Sequence, residues 1–277
     1  MTLSINTNIA ATRASKYLAT NHQNLQKSLD RLSSGKRITS PSDDAGGLAV
    51  SMKLEHSING LKGAATNISN AISFLQVQDG ILSSAADIVS RIGELKSMYD
   101  DVTKNTSDKN TYDSEVDGLQ DQLATLSSAS KFNGKELFGN DTTLAVVVDA
   151  SGTTVNIGQH DLDGSTDTAD KNQNLKILAT DQTNLAGGLT STQISDALSE
   201  IAKYRATNGG QVKRLQFALA DIENQVTNLT AANGRIMDVD IATESAALAR
   251  HQILVQASAA MVAQANSANN VALQLLQ

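Results

Sequence analysis

From Ile58, apolar residues recur at Leu61, Ala65, Ile68, Ile72 and Leu75, then at Leu82, Ala86 and Val89, in steps of three and four that Asp79 alone interrupts. That alternation is a coiled-coil seam. A neighbouring stripe of Ile81, Ile88, Ile92, Leu95 and Tyr99 widens the apolar face, as a helix packed between several partners requires. A helix over about residues 44–100 would be about 85 Å long at the usual rise, longer than a compact domain of this size is wide. A second helix is predicted after the polar break Thr103 to Asp108, with Val116, Leu119, Leu123 and Leu126 on one face. A third seam runs Val212, Leu215, Leu219, Ile222, Val226, Leu229, Asn233, Ile236, with one Asn in an otherwise apolar register, where a buried Asn can fix register. Three matching seams predict a bundle of long antiparallel helices.

The two ends carry the same periodicity more thinly. Ala11, Leu18, Leu25 and Leu32 repeat every seven residues with Leu29 beside them, and Leu248, Ile253, Leu254, Ala257, Met261 and Val262 form a broad face near the other end. Stripes this narrow bury too little area to hold a helix alone, so both ends are expected to be disordered in a free monomer and helical in an assembly. Between about 131 and 190 Gly, Asp, Thr and Asn rise and the period is lost. There Thr143 to Val148 and Thr153 to Ile157, joined by Asp149-Ala150-Ser151-Gly152, predict a β-hairpin, and Gln159 to Asn174 a polar, acidic loop. The expected fold is therefore mainly α, a long antiparallel helical bundle or coiled coil from the N- and C-terminal segments with a small β-hairpin region in the middle. Its expected parts are terminal helices 1–40 and 238–277, a bundle 41–130 and 191–237, and the hairpin region 131–190.

Composition decides how such helices pack. Aromatics are 3% of 277 residues, with 4 Phe, 4 Tyr and no Trp, so Leu, Ile, Val and Ala must do the work that rings usually do. A single Pro leaves long helices uninterrupted. The net charge of −7 argues against nucleic-acid binding, which needs a basic surface. It is unevenly spread: residues 1–40 carry Arg13, Lys16, Lys27, Arg31, Lys36 and Arg37 against Asp30, whereas 238–277 carry Asp238, Asp240 and Glu244 against Arg250. Opposite signs favour pairing of the ends, although exposed pairs contribute only about 0–1 kcal/mol each. The absence of Cys excludes disulfides, thiolate metal sites and Cys nucleophiles. Met1 to Asn8 lack the basic and apolar regions of a cleaved signal, and no stretch approaches the roughly 20 apolar residues of a membrane span.

Candidate chemistry is sparse. There is no H-E-x-x-H, phosphate-binding glycine loop, G-x-S-x-G or dinucleotide fingerprint, and His22, His56, His160 and His251 form no i,i+4 pair. Asp161 to Asp167 has the flavour of a calcium loop, but Gly164 is fourth rather than sixth and Asn172 stands where the bidentate Glu belongs, so it reads as an acidic turn. N-x-S/T sequons begin at Asn67, Asn140 and Asn228 among other positions; those at Asn67 and Asn228 lie on predicted helices and read as chance matches. No enzyme, cofactor or metal is expected. One motif has a mechanical reading: Ser40-Pro41-Ser42-Asp43 fits an N-cap Ser, a first-turn Pro and a capping acid, marking where the long helix begins. It follows Ser33-Ser34-Gly35, which reads as a flexible joint.

Several strings together resemble the bacterial flagellin family. They are Ile5-Asn6-Thr7-Asn8, Leu29-Asp30-Arg31-Leu32-Ser33-Ser34-Gly35-Lys36-Arg37-Ile38 and Ser42-Asp43-Asp44-Ala45-Gly46-Gly47-Leu48-Ala49-Val50 near the start. Near the end stand Arg235 to Glu244 (Arg-Ile-Met-Asp-Val-Asp-Ile-Ala-Thr-Glu), Gln264-Ala265-Asn266 and Ala272 to Leu276. The similarity covers roughly residues 1–138 and 195–277; Pro41 and Gly46 stand where the family usually has Ala. The resemblance implies a secreted, non-enzymatic filament subunit, exported unfolded by the flagellar type III pathway and assembled beneath a distal cap protein. The terminal helices would form an inner layer, with polymerisation contacts at Leu18, Leu25, Leu29, Leu32, Leu248, Ile253, Leu254, Met261, Leu273 and Leu276. Ser33, Ser34, Gly35, Asp43 and Asp44 would form the joint to an outer layer. Implied partners are other flagellin subunits, hook-filament junction proteins, the cap and an export chaperone. Ser90 to Leu95 is similar to the segment by which some flagellins engage a host Toll-like receptor: Arg91, Leu95 and Glu115 match contact positions, while Ser90 and Gly93 depart from the usual Gln and Arg. Packing between neighbouring subunits is the competing role for these three. The competing functions are a hook-filament junction protein of the same superfamily and a flagellin with an inserted metallopeptidase, the latter opposed by the missing H-E-x-x-H.

Overall fold

A computed structural model describes residues 8–139, 143–160, 162, 175, 176, 178 and 184–274, the last seven of these as backbone only. Five long helices dominate: α1 (Ile9–Ser34), α2 (Ala45–Tyr99), α3 (Thr106–Ala129), α4 (Ser191–Met237) and α5 (Ile241–Gln274). Four short strands lie between α3 and α4: β1 (Lys131–Phe132), β2 (Lys135–Glu136), β3 (Thr143–Val147) and β4 (Thr154–Gly158). The chain divides into two compact units, Met1–His56 with Thr227–Gln277 and Ser57–Val226. The fold is the expected one: mainly α, terminal helices packed on each other, and a small antiparallel hairpin region in the middle of the chain.

In the unit Ser57–Val226, the buried line of α2 is Leu61, Ala64, Ile68, Ala71, Leu75, Gln78, Leu82, Ala85, Val89 and Ile92. It shares Leu61, Ile68, Leu75, Leu82 and Val89 with the predicted seam but replaces Ala65, Ile72, Asp79 and Ala86 by the residue before each. The small Ala side chains occupy the crowded centre, and the larger Ile72 moves to a half-buried flank. Asp79 therefore breaks nothing. Gln78 fills the seam and donates from Nε2 to the Leu137 carbonyl at 2.8 Å, while Asp79 turns outward to Arg205 of α4 at 3.0 Å.

Helix α3 begins with a capping box, Asn105 and Asp108 each accepting the other's backbone amide. Its buried line is Val116, Gln120, Leu123 and Ser127, with the predicted Leu119 and Leu126 half-buried beside it. On α4 the line runs Ile194, Ala197, Ile201, Asn208, Leu215 and Ile222. The pairs Arg91–Glu115 and Tyr99–Lys109 make α3 antiparallel to α2. Contacts of Asp79 with Arg205 and of Gly93 with Ile194 make α4 antiparallel to α2 as well.

The hairpin forms where its alternation placed it. β3 pairs with β4 antiparallel, Val146 facing Val155 and Leu144 facing Ile157, and Gly152 takes φ +87 in the connecting turn. Val146, Val155 and Ile157 are buried. Ala150 of the turn comes so close to α2 that a Cβ on Gly60 would sit 2.9 Å from its methyl group. The predicted acidic loop Gln159 to Asn174 lies outside the described residues apart from Gln159, His160 and Leu162, as does the calcium-like string apart from Leu162.

Candidate functional site: the paired terminal helices and their joint

α1 and α5 lie antiparallel. Asn8 Nδ2 donates to the Ala265 carbonyl at 2.9 Å, Asn21 Nδ2 to Ser258 Oγ at 2.7 Å, and Arg31 meets Glu244 at 3.5 Å. The side chains turned inward follow heptad steps: Ala11, Ala14, Leu18, Asn21, Leu25, Ser28 and Leu32 on α1, and Glu244, Leu248, His251, Val255, Ser258, Val262 and Ala265 on α5. Only Ser28 and Ser258 among them are buried. Small and polar residues thus sit at the closest approach, where periodicity of apolar residues alone could not find them.

The predicted polymerisation residues divide accordingly. Leu18, Leu25, Leu32 and Leu248 are half-buried in the α1·α5 seam. Leu29, Ile253, Leu254 and Met261 face outward, with Ile253 at 65% and Met261 at 62% exposure, and Ile9 and Tyr17 join them. The structure thus splits the broad C-terminal face into an inner line and an outer one. Beside the outer residues a groove of about 560 Å³ runs between the helices, lined by Ala10, Ala14, Tyr17, Leu254, Ala257 and Met261 with Arg13, Asn21 and Ser258. Leu273 lies on the backbone of α5, and Leu276 lies outside the described residues.

The joint is stitched rather than loose. Ser33 and Ser34 belong to the last turn of α1, and Gly35 ends it in the left-handed conformation at φ +69. The chain then forms a bridge to the α4–α5 turn: Lys36 pairs with Asp238, the Arg37 amide donates to the Met237 carbonyl, and the Val239 amide donates to the Gly35 carbonyl at 3.1 Å. The Arg37 guanidinium caps the end of α4, donating through Nε and Nη2 to the Ile236 carbonyl at 3.1 and 2.8 Å. Ile38 is buried beneath.

The expected helix start at Ser40 is corrected by four residues. Ser40-Pro41-Ser42-Asp43 is a β-turn closed by the Asp43 amide on the Ser40 carbonyl at 3.0 Å. α2 begins at Ala45, with Asp44 as its cap accepting the Gly47 amide at 2.8 Å. Pro41 serves position i+1 of the turn, which suits its fixed φ as well as a first helical position does. Asp43 is the hub. Its carboxylate meets Lys27 Nζ at 2.6 Å and accepts from the amides of Thr39 and Ser40 and the Thr39 hydroxyl. The Lys27 ammonium foremost, with these donors, holds the Asp43 carboxyl well below the usual carboxylate range. Asp240 caps α5 in the same way, accepting from the Ala242 and Thr243 amides and the Thr243 hydroxyl. Sequence reasoning missed Lys27, Arg37 and Asp240. Asp240-x-x-Thr243 was a legible capping signal; Lys27 lies sixteen positions before Asp43 with no local pattern linking them.

Asn233, singled out in the α4 seam, accepts from Ser51 Oγ at 2.7 Å, a register-specific bond between α2 and α4 in the unit that holds the termini. In the other unit, Arg91 donates to Glu115 Oε1 through Nε and Nη2 at 3.0 and 2.8 Å and to Glu94 at 2.9 Å, all three side chains exposed. Leu95, expected beside Arg91 and Glu115, is 0% exposed and one of the largest fully buried side chains. Among the described residues no group of three His, Asp or Glu could hold a metal ion, and no helix is long and apolar enough to cross a membrane.

Comparison with known proteins agrees with this geometry. A family model described as the bacterial flagellin N-terminal helical region matches residues 5–143, and one described as the C-terminal helical region matches 191–276. The chain is 34% identical over 289 residues to a flagellar filament 33 kDa core protein of Treponema phagedenis and 32% identical over 304 residues to a flagellin of Bacillus subtilis, each alignment covering 99% of both chains. Among solved structures, a putative flagellar hook-associated protein of Vibrio parahaemolyticus shares the fold at TM-score 0.59 and 15% identity, covering 71% of this chain and 100% of that one. Helical models matched at both ends, and relatives matched over their whole length, place this chain in the bacterial flagellin family.

Proposed function

We propose that this flagellin polymerises through the face that the α1·α5 pair leaves uncovered. A flagellin is a structural subunit of the extracellular flagellar filament and not an enzyme; the junction-protein alternative is not favoured, since the models matched at both ends are those of flagellin. The observation that carries the reading is the inversion of the terminal pair: Ser28 and Ser258 are buried while Ile9, Tyr17, Ile253 and Met261 are 62–67% exposed, Tyr17 and Met261 lining an open groove. Exposed apolar surface gathered in one place marks a protein interface. A neighbour's terminal helices, presenting the same residues, fit it.

In this mechanism the paired ends are completed by docking. Each subunit contributes a thin stripe that is insufficient alone, and repetition over many neighbours completes it. Leu18, Leu25, Leu32 and Leu248 hold the pair together, and Leu29, Ile253, Leu254 and Met261 make the contacts between subunits. The Gly35–Asp44 joint with the Met237–Asp240 turn ties the terminal pair to the near ends of α2 and α4. Residues 1–40 and 238–277 form the inner layer, 41–130 and 191–237 the outer bundle, and 131–190 the hairpin region. Export through the flagellar type III pathway with a chaperone, growth beneath a cap protein and attachment to junction proteins complete the reading. Arg91 and Glu115 offer an exposed ionic surface to a Toll-like receptor, with Leu95 supporting it from inside the core.

The test is seeded polymerisation of the purified chain followed by electron microscopy, alongside a variant lacking residues 243–277. The full chain is expected to form long filaments. The truncated one is expected to keep most of its helical circular dichroism and form none; filaments from the truncation would overturn the role assigned to the ends.

A further inference from the structure

One aromatic side chain in the unit Ser57–Val226 is left largely in the open. Phe217 on α4 is 76% exposed, while Phe74 and Phe138 are 5% and 3% exposed and Phe132 packs edge-on against Phe74 with ring centroids 6.0 Å apart. The same unit carries an apolar hollow of about 380 Å³ between α2 and the hairpin, lined by Ala71, Phe74, Phe132, Val146, Val147 and Ile157, with Asn67 and Asn70 among its polar groups. No α4 residue lines it. Phe217 itself lies outside that lining.

We propose that the Phe217 ring of one copy enters the hairpin hollow of a neighbouring copy. This rests on the filament reading and adds a contact to it that is independent of the terminal helices. The occupant follows from three observations. A subunit that polymerises with itself meets second copies of its own Phe217 at high local concentration. A knob on one copy and a hollow on the next, used head to tail, make a heterologous contact, the kind from which an open helical polymer is built. The chemistry matches too: an aromatic side chain buries about 150–250 Å² and gains most against other rings edge-on, which the Phe74–Phe132 pair offers.

The chain has no Trp and 4 Tyr, so Phe217→Trp introduces a single Trp at the knob, excited selectively at wavelengths where Tyr does not absorb. Its emission is expected to move to shorter wavelength when seeded filaments form, and unchanged emission in well-formed filaments would overturn the contact. Phe217→Ser is expected to leave the monomer's unfolding midpoint unchanged and to raise the critical concentration for growth about tenfold. Ala145→Trp, which crowds the hollow from β3, is expected to do the same, and the double variant to be no worse than either single one because both remove one contact. Fully additive effects, or Phe217→Ser growing at the wild-type critical concentration, would overturn the proposal while leaving the filament reading intact. A wild-type chain that forms no seeded filaments would overturn both.

Discussion

Ile253 offers the most direct measure of how much the terminal face contributes to assembly. The side chain is 65% exposed on α5. Complete burial of an Ile contributes about 1.5–3 kcal/mol, so roughly two-thirds of that, about 1–2 kcal/mol per subunit, is still to be gained on docking. Through the equilibrium constant for adding a subunit this corresponds to about a 5- to 30-fold change in critical concentration. Ile253→Ala should reach the lower end of that range, because Cβ stays. Ile253→Asp should exceed the upper end, because it also places an unpaired carboxylate in the contact. Neither should alter the monomer by more than about 0.5 kcal/mol, as expected for an exposed position. The assay is the protein left in the supernatant after seeded growth and sedimentation, with the monomer's thermal unfolding as control. If the Ala and Asp variants leave the same concentration behind as the wild type, Ile253 faces solvent in the filament and the outer line of α5 is not the interface.

Leu95→Ala should cost about 2–5 kcal/mol in the urea unfolding of the central unit, because its side chain is fully buried; a loss under 0.5 kcal/mol would return Leu95 to the surface and to direct contact with partners. Gly60→Val should push the hairpin turn off α2, since even a Cβ there meets Ala150 at 2.9 Å, and an unchanged amide NMR spectrum for residues 143–158 would contradict that approach. The Asp43 carboxyl is held below its ordinary range by Lys27, so the stability it contributes is present above about pH 4 and is lost as pH falls further through its folded value. Asp43→Asn should remove that part of the acid dependence of the melting temperature, and identical acid slopes for the two proteins would show that the Lys27 bond does not form.

The extent of α2 was legible because a long seam averages over local errors: a helix expected over about 44–100 is Ala45–Tyr99. Which residues fill the seam was less legible. Periodicity prefers Ile72 to Ala71 and stops at Asp79, but a helix wedged among partners puts its small side chains at the closest approach, so Ala71 and Gln78 lie inside. Gln78 could not be recognised as a core residue until the Leu137 carbonyl that accepts from it was in place. The hairpin was visible because alternation and a Gly turn agree over a few residues. The joint was misread for the opposite reason. Ser40-Pro41-Ser42-Asp43 satisfies the local rules for a helix start and for a β-turn equally, and the non-local Lys27–Asp43 pair, with the Thr39 and Ser40 donors to the same carboxylate, favours the turn and leaves Asp44 to cap α2.

The terminal helices show why a thin stripe is an informative failure of packing. A pair of helices meant to stand alone would bury Ile253, Met261 and Tyr17 against each other and expose its serines. This pair does the reverse, holding Asn21 on Ser258 and leaving the larger apolar side chains outside. The internal bonds fix register and direction at little gain in burial, since a neutral side-chain hydrogen bond contributes only about 0.5–1.5 kcal/mol net. Most of the apolar area therefore remains available to a second copy. Opposite net charge on the two segments brings them together, yet the single α1·α5 ion pair among the described residues, Arg31–Glu244, is too long at 3.5 Å to dominate. The proposed contact between copies accounts for this pattern: leucines every seven residues, too few for a core by themselves.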